Sequence, residues 1–222
     1  SLPINFNSPY KSTNIREFWN RWHITLSRFL RDYIYIPMGG NRQGNFKMYS
    51  NLVTTFLIGG LWHGAGWTFI VWGAMHGIAV IIHRLWSDTG IKLNKILAWF
   101  ITFNFINISW IFFRAKDWED AHKIIKGMFG FSEILLTSFI QKIPLFQSNF
   151  INFGEVFKNF NSDTEITLWL VIALITTLYF KNSNEIIADN TPSNKNVLFI
   201  IIVILISLMH MDKNVEFIYF NF

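Results

Sequence analysis

The sequence predicts an all-α, multi-pass membrane helical bundle, and three observations carry that prediction. Of its 222 residues, 51% are hydrophobic, 18% aromatic and only 15% charged, whereas about a quarter of an ordinary soluble domain is charged. Several long stretches carry no charge at all. The alternating pattern of transmembrane strands is absent. This composition also excludes intrinsic disorder. Without cysteine there is no disulfide framework, thiol nucleophile or thiolate metal site.

A helix crosses a bilayer with about 20 mostly apolar residues. Ile96–Phe113 has that length without a charge. Ile166–Phe180 and Val197–Met211 have 15 residues each and reach the interfaces through polar flanks. Asn51–His83 runs for 33 residues with no charge before Arg84. As one helix it would measure about 50 Å, too long for an upright span. Its centre, Gly59-Gly60-Leu61-Trp62-His63-Gly64-Ala65-Gly66, predicts two helical pieces meeting there, or one kinked, strongly tilted helix. Interrupted helices persist in membranes where they pack in protein or line a cavity. Ala121–Ile140 contains Lys123, Lys126 and Glu133 and reads as interfacial or re-entrant. Lys142–Asp163 and Lys181–Asn196 read as polar, Asn-rich loops. Ser1–Asn14 reads as an extended lead-in, so the chain is expected to be the C-terminal portion of something longer.

The formal charge of +5 is local. Residues 1–50 hold seven Lys/Arg against Glu17 and Asp32, and the rest of the chain balances. The basic residues alternate with Phe18, Trp19, Trp22, Phe29, Tyr33 and Tyr35. Such a mixture can serve single-stranded nucleic acid, but it equally suits a helix at a membrane interface, with rings at headgroup depth. The apolar remainder of the chain favours the interface, and no nucleic-acid partner is expected. A helix from Phe18 to Tyr35 would place Trp19, His23, Leu26 and Leu30 on one face and Arg21, Arg28 and Arg31 on another. By itself this segment reads as an amphipathic interfacial helix.

Six histidines occur. His122 and His210 lie at segment ends and read as structural. His63 lies in Gly60-Leu-Trp-His-Gly64, and His76 in Gly73-Ala-Met-His-Gly77. Glycines four apart let a second backbone come close, and helix packing is the favoured reading for His76. His76 and His83 stand two turns apart on roughly one face. Metal ligation commonly wants His at i, i+4 or a nearby carboxylate; these spacings are 13 and 7 with no acid in the apolar region, so no metal is expected. No Gly-x-Ser-x-Gly elbow, P-loop or dinucleotide fingerprint occurs. A neutral histidine shielded from water suits a general base acting on a hydroxyl.

Two segments taken together, FWNRWHITLSRFLRDYIYIPMGGN (18–41) and GGLWHGAGWTFIVWGAMHG (59–77), resemble the membrane-bound O-acyltransferase (MBOAT) family. The resemblance is to its bacterial branch of alginate and peptidoglycan O-acetyltransferases and teichoic-acid D-alanyl transferases. The ending Glu216–Phe222 is similar to the C-terminus of the acetyltransferase members. The resemblance implies that residues 1–222 are the C-terminal part of one all-helical MBOAT domain. Its parts would be a basic signature segment (1–50), core membrane helices (51–113), an interfacial or re-entrant stretch with a loop (114–163), and C-terminal membrane helices (164–222). It further implies His63 as the catalytic histidine and His23 as the second signature position. Trp22, Arg21, Arg31, Trp62, Gly64 and His76 are then expected to contact substrate or donor. No cofactor is expected to be bound; the donor would be acetyl-CoA or another acyl thioester. Expected partners are membrane lipids, an extracytoplasmic acetyltransferase and, as final acceptor, a polysaccharide, with the protein in the bacterial cytoplasmic membrane. A transporter or scaffold with histidines along a polar path is the alternative.

Overall fold

The structure, a computed structural model, describes residues 3–128, 163–189 and 194–209. All regular structure among them is helical. They fall into two compact units divided between Asn182 and Ser183.

The lead-in is extended apart from a 3-10 turn at Pro9–Lys11. Helix α1 (Ile15–Arg21) begins where its first free N–H groups find acceptors. The Asn14 side chain accepts from the Glu17 amide at 2.8 Å, and the Glu17 carboxylate reaches back to the Thr13 amide and hydroxyl at 2.8 and 2.9 Å. This is a close variant of the reciprocal capping box. Burial by itself would raise the Glu17 carboxyl. The two Thr13 hydrogen bonds and the Arg21 guanidinium outweigh it and hold the group below the usual carboxylate range.

A single helix over Phe18–Tyr35 does not form. The helix stops after Arg21 and restarts as α2 (Ile24–Leu30), which continues into a π-helical turn at Arg31–Tyr35. The lead-in causes the break by capturing the backbone groups on both sides. Ile24 N–H donates to Asn5 O at 2.9 Å, Asn7 N–H donates to Arg21 O at 2.9 Å, and Thr25 N–H donates to the Asn5 side chain at 3.1 Å.

The uncharged stretch is two helices, α3 (Gly44–His63) and α4 (Trp67–Asp88), separated by Gly64-Ala65-Gly66. They form the closest-packed helix pair. A Cβ at Gly60 would overlap the Phe69 carbonyl oxygen, and one at Gly73 would overlap the Phe56 carbonyl oxygen. Only bare backbone permits this approach, as the four-residue glycine spacing predicts. The turn before α3 is fastened by Asn51, fully buried, whose amide donates to Met38 O and Gly40 O at 3.1 and 3.0 Å.

Helix α5 (Lys95–Arg114) is capped by the Asn94 side chain, which accepts from Ile96 N–H at 2.9 Å. It packs on α4, and Ile15, Phe18, Trp19, Trp72 and Ile106 form the core where α1, α4 and α5 meet. Helix α6 (Trp118–Met128) follows, and α7 (Asp163–Tyr179) returns near the lead-in, where Lys11 Nζ donates to Phe180 O at 2.7 Å. The predicted interfacial segment Ala121–Ile140 is described only to Met128. The predicted loop Lys142–Asp163 lies outside the described residues up to position 162.

Both α4 and α5 are long and apolar enough to cross a membrane, yet only 28% and 22% of their most apolar windows are buried. A soluble protein's core helix would be mostly buried. The outer faces are apolar as well: Ile78, Ile82, Leu97, Phe100 and Ile101 face out, while Thr68, His76, Thr102 and Ser109 of the same two helices are buried. Lipid is the solvent that accepts such an exterior.

The second unit holds α8 (Ser183–Asp189) and α9 (Asn194–Met209). Helix α8 corrects the expected loop at Lys181–Asn196. Glu185 in its first turn complements the helix dipole, which composition alone does not reveal. His210 and the Glu216–Phe222 ending lie outside the described residues.

Candidate active site

His23 caps the start of α2 with left-handed backbone, φ 43° and ψ 54°. For an L-residue other than glycine, asparagine or aspartate this conformation costs about 1–2 kcal/mol. Such strain persists only where surrounding contacts enforce it, and here Asn5 and Asn7 do so. The His23 Nδ1 atom is buried without a hydrogen-bond partner among the described residues. Burial pushes the imidazole below its ordinary pKa, which favours the uncharged ring.

His63 is the last residue of α3. Its ring is half-buried, with the rings of Trp62, Trp72 and Phe113 edge-on at 4.8, 5.4 and 5.0 Å. It makes no hydrogen bond among the described residues. Trp22, next to His23 in the chain, and Phe113, beside the His63 ring, both pack against the core that contains Trp72. Two histidines from separate helix breaks therefore share one aromatic neighbourhood.

That neighbourhood continues inward. Trp72 lies 6.0 Å from Trp19 and 4.8 Å from His76, and its indole N–H is buried without a partner among the described residues. His76 is fully buried, with Trp19 Nε1–H donating to its Nδ1 at 3.3 Å and its Nε2 3.0 Å from Ser109 Oγ.

The remaining residues expected near donor or substrate divide into groups. Trp22 stacks on Phe18 at 5.8 Å and meets Trp110 at 5.3 Å. Arg21 pairs with Glu17 at 2.9 Å and donates to Asn7 O at 3.2 Å, so it is committed to the break beside His23. Trp62 is 62% exposed, leaving its face free beyond the edge it shares with His63. Gly64 lets the Phe69 ring lie where a Cβ would stand. Arg31 pairs with Asp32 at 2.7 Å and, through that hydrogen bond, holds the Asp32 carboxyl below its ordinary value.

Arg31 also lines a cavity of about 590 Å³ whose walls include neither His23 nor His63. Arg16, Asn20, Ser27, Tyr35 and Arg84 contribute to it. Arg16 and Arg84 form no ion pair with a carboxylate among the described residues, and the buried Ser27 hydroxyl has no partner. Sequence reading misses Arg16, Arg84 and Ser27. The available signal was Arg84 itself, the first charge after the long uncharged stretch. Trp72 and Ser109 were missed too, for nothing in their local pattern separates them from ordinary helix residues.

A family model described as "MBOAT, membrane-bound O-acyltransferase family" matches residues 1–115, which contain both breaks and α1 to α5. The chain belongs to this family. It is therefore a membrane protein, in keeping with the apolar outer faces of α4 and α5. The chain is similar to the peptidoglycan O-acetyltransferase of Helicobacter pylori, at 44% identity over all of this chain and 43% of that protein. It is 49% identical to the probable alginate O-acetylase AlgI of Pseudomonas aeruginosa, over 57% of this chain and 25% of that one. Similarity extends to the teichoic acid D-alanyltransferase of Streptococcus thermophilus, at 33% over 51% of this chain and 33% of that protein. The chain spans less than half the length of each of these relatives.

Proposed function

We propose that the chain forms part of a multi-pass O-acetyltransferase of the bacterial cytoplasmic membrane. It would pass acetyl groups from a cytoplasmic thioester toward hydroxyls of an extracytoplasmic polysaccharide. The observation that carries this reading is that the helix breaks holding His23 and His63 pack on one aromatic core, inside the region that the acyltransferase family model matches. Acetyl is preferred to D-alanyl because identity to the O-acetylating relatives is 44–49% against 33% for the D-alanyltransferase.

In this mechanism the acceptor oxygen attacks the thioester carbonyl carbon as its proton passes to His63. The C–S bond then breaks, and the leaving thiolate recovers the proton from His63. The His23 ring, with Nδ1 unspent, orients the acceptor or the carbonyl. Trp62, Trp72 and Phe113 keep water from the thioester. The cavity lined by Arg16, Arg31 and Arg84 suits the phosphate-bearing end of a coenzyme A-type donor, because guanidinium groups match phosphate geometry. An extracytoplasmic transferase would carry the acetyl group onward to the polysaccharide.

The test is thioester-dependent acetyl transfer by the full-length protein. Removing a general base costs about 10²–10⁴-fold in rate, and His63→Ala should lose activity on that scale while remaining folded in the membrane. Full activity of a well-expressed His63→Ala protein would overturn the assignment. A protein that moves solute without consuming thioester would establish the transporter reading instead.

A further inference from the structure

We infer that His76 is a positioning residue, whose hydrogen bonds to Trp19 and Ser109 hold the His23 and His63 breaks in register. The inference rests on the acyl-transfer reading above and deepens it.

An indole N–H can only donate. The 3.3 Å contact from Trp19 Nε1 therefore makes His76 Nδ1 an acceptor and leaves the ring proton on Nε2. Nε2–H then donates to Ser109 Oγ at 3.0 Å, and the Ser109 hydroxyl donates to Ile106 O at 2.8 Å. The chain of bonds runs one way, from α1 through α4 to α5, with each donor spent. His76 and Ser109 are both fully buried. With both nitrogens engaged and no open surface, His76 acts through its neighbours rather than by touching a donor.

Those neighbours lead to the two candidate catalytic groups. Trp19 sits one turn before the Trp22–His23 break, its ring 5.1 Å from that of His76. Trp72 sits one turn before His76 in α4, 4.8 Å from it, and stands perpendicular to the His63 ring at 5.4 Å. The Trp72 indole N–H has no partner among the described residues, so packing holds that ring, and His76 supplies one of its walls. An apolar side chain at position 76 would strand the Trp19 N–H in a buried site and release Trp72. A glutamine can still accept from Trp19 and donate to Ser109.

The experiment compares His76→Leu and His76→Gln in the full-length protein. For His76→Leu, kcat should fall about tenfold or more, near 1.4 kcal/mol of barrier, with the KM for thioester within about twofold. His76→Gln should recover most of kcat. A second readout needs no turnover: diethyl pyrocarbonate labelling of His63, followed by mass spectrometry, should quicken several-fold in His76→Leu and stay near wild type in His76→Gln. Wild-type kcat in His76→Leu, or equal loss in both variants, would overturn the positioning role. Unchanged His63 labelling in His76→Leu would overturn it as well. If the wild-type protein transfers no acyl group, the functional reading falls, while the labelling result still decides the role of His76.

Discussion

The two helix breaks that carry the histidines are built by opposite means. Between α3 and α4 the chain breaks at Gly64-Ala65-Gly66, and the helices close on each other through Gly60 and Gly73. Between α1 and α2 it breaks at Trp22-His23, with no glycine and with histidine itself in left-handed backbone. The first break belongs to its own sequence. The second is imposed from outside by Asn5 and Asn7. A break made by glycine is inexpensive and permanent. One made by distant hydrogen bonds holds a strained residue in place only while those bonds persist.

The largest effect should come from destroying the glycine-built contact. Gly73→Leu places a branched side chain against the Phe56 carbonyl, and overpacking of this kind costs about 1–3 kcal/mol or more. Loss of folded, monodisperse protein on detergent extraction is the expected result; normal yield would show that the two helices can separate at little cost.

An intermediate effect distinguishes the other break. In a helix interior alanine outranks glycine by about 1 kcal/mol, but at φ 43° the order should reverse. His23→Gly is expected to melt above His23→Ala by an amount equivalent to about 1 kcal/mol, with both variants losing acetyl transfer. The opposite order in thermal unfolding would mean that the left-handed backbone at His23 is not enforced.

The smallest effect is the pH dependence of the capping network. The folded pKa of Glu17 lies below its unfolded value. Its stabilisation is therefore complete above the unfolded pKa of about 4.3 and disappears as pH falls through the lower folded value. Partly exposed pairs of this kind are worth about 0.2–1 kcal/mol. Glu17→Gln should flatten that part of the stability curve between about pH 5 and 3 and change little at pH 7.

What could be read from the sequence follows the same division. The apolar runs at Ile96–Phe113, Ile166–Phe180 and Val197–Met211 correspond to α5, α7 and the described part of α9. The interruption around His63 is where the glycines put it. These features are encoded in adjacent residues. The His23 break is not, because Phe18–Tyr35 has an unbroken helical pattern and the residues that break it stand more than a dozen positions upstream. The partners of His76 were hidden for a similar reason: Trp19 and Ser109 lie 57 and 33 residues away. The cavity containing Arg84 brings together four helical segments and leaves no trace in any one of them.

The lead-in that clasps His23 has another distant tie. Asn182 donates to the Asn7 side chain at 2.8 Å and to the Ser8 hydroxyl at 2.7 Å, across 175 and 174 residues of chain. A ribosome adds about 5–20 residues per second, so some 10–35 s separate synthesis of Asn7 from that of Asn182. Until then the clasp lacks these two bonds. The strained histidine is made early and secured late, so α3 to α5 can enter the membrane before the break at His23 is fully held.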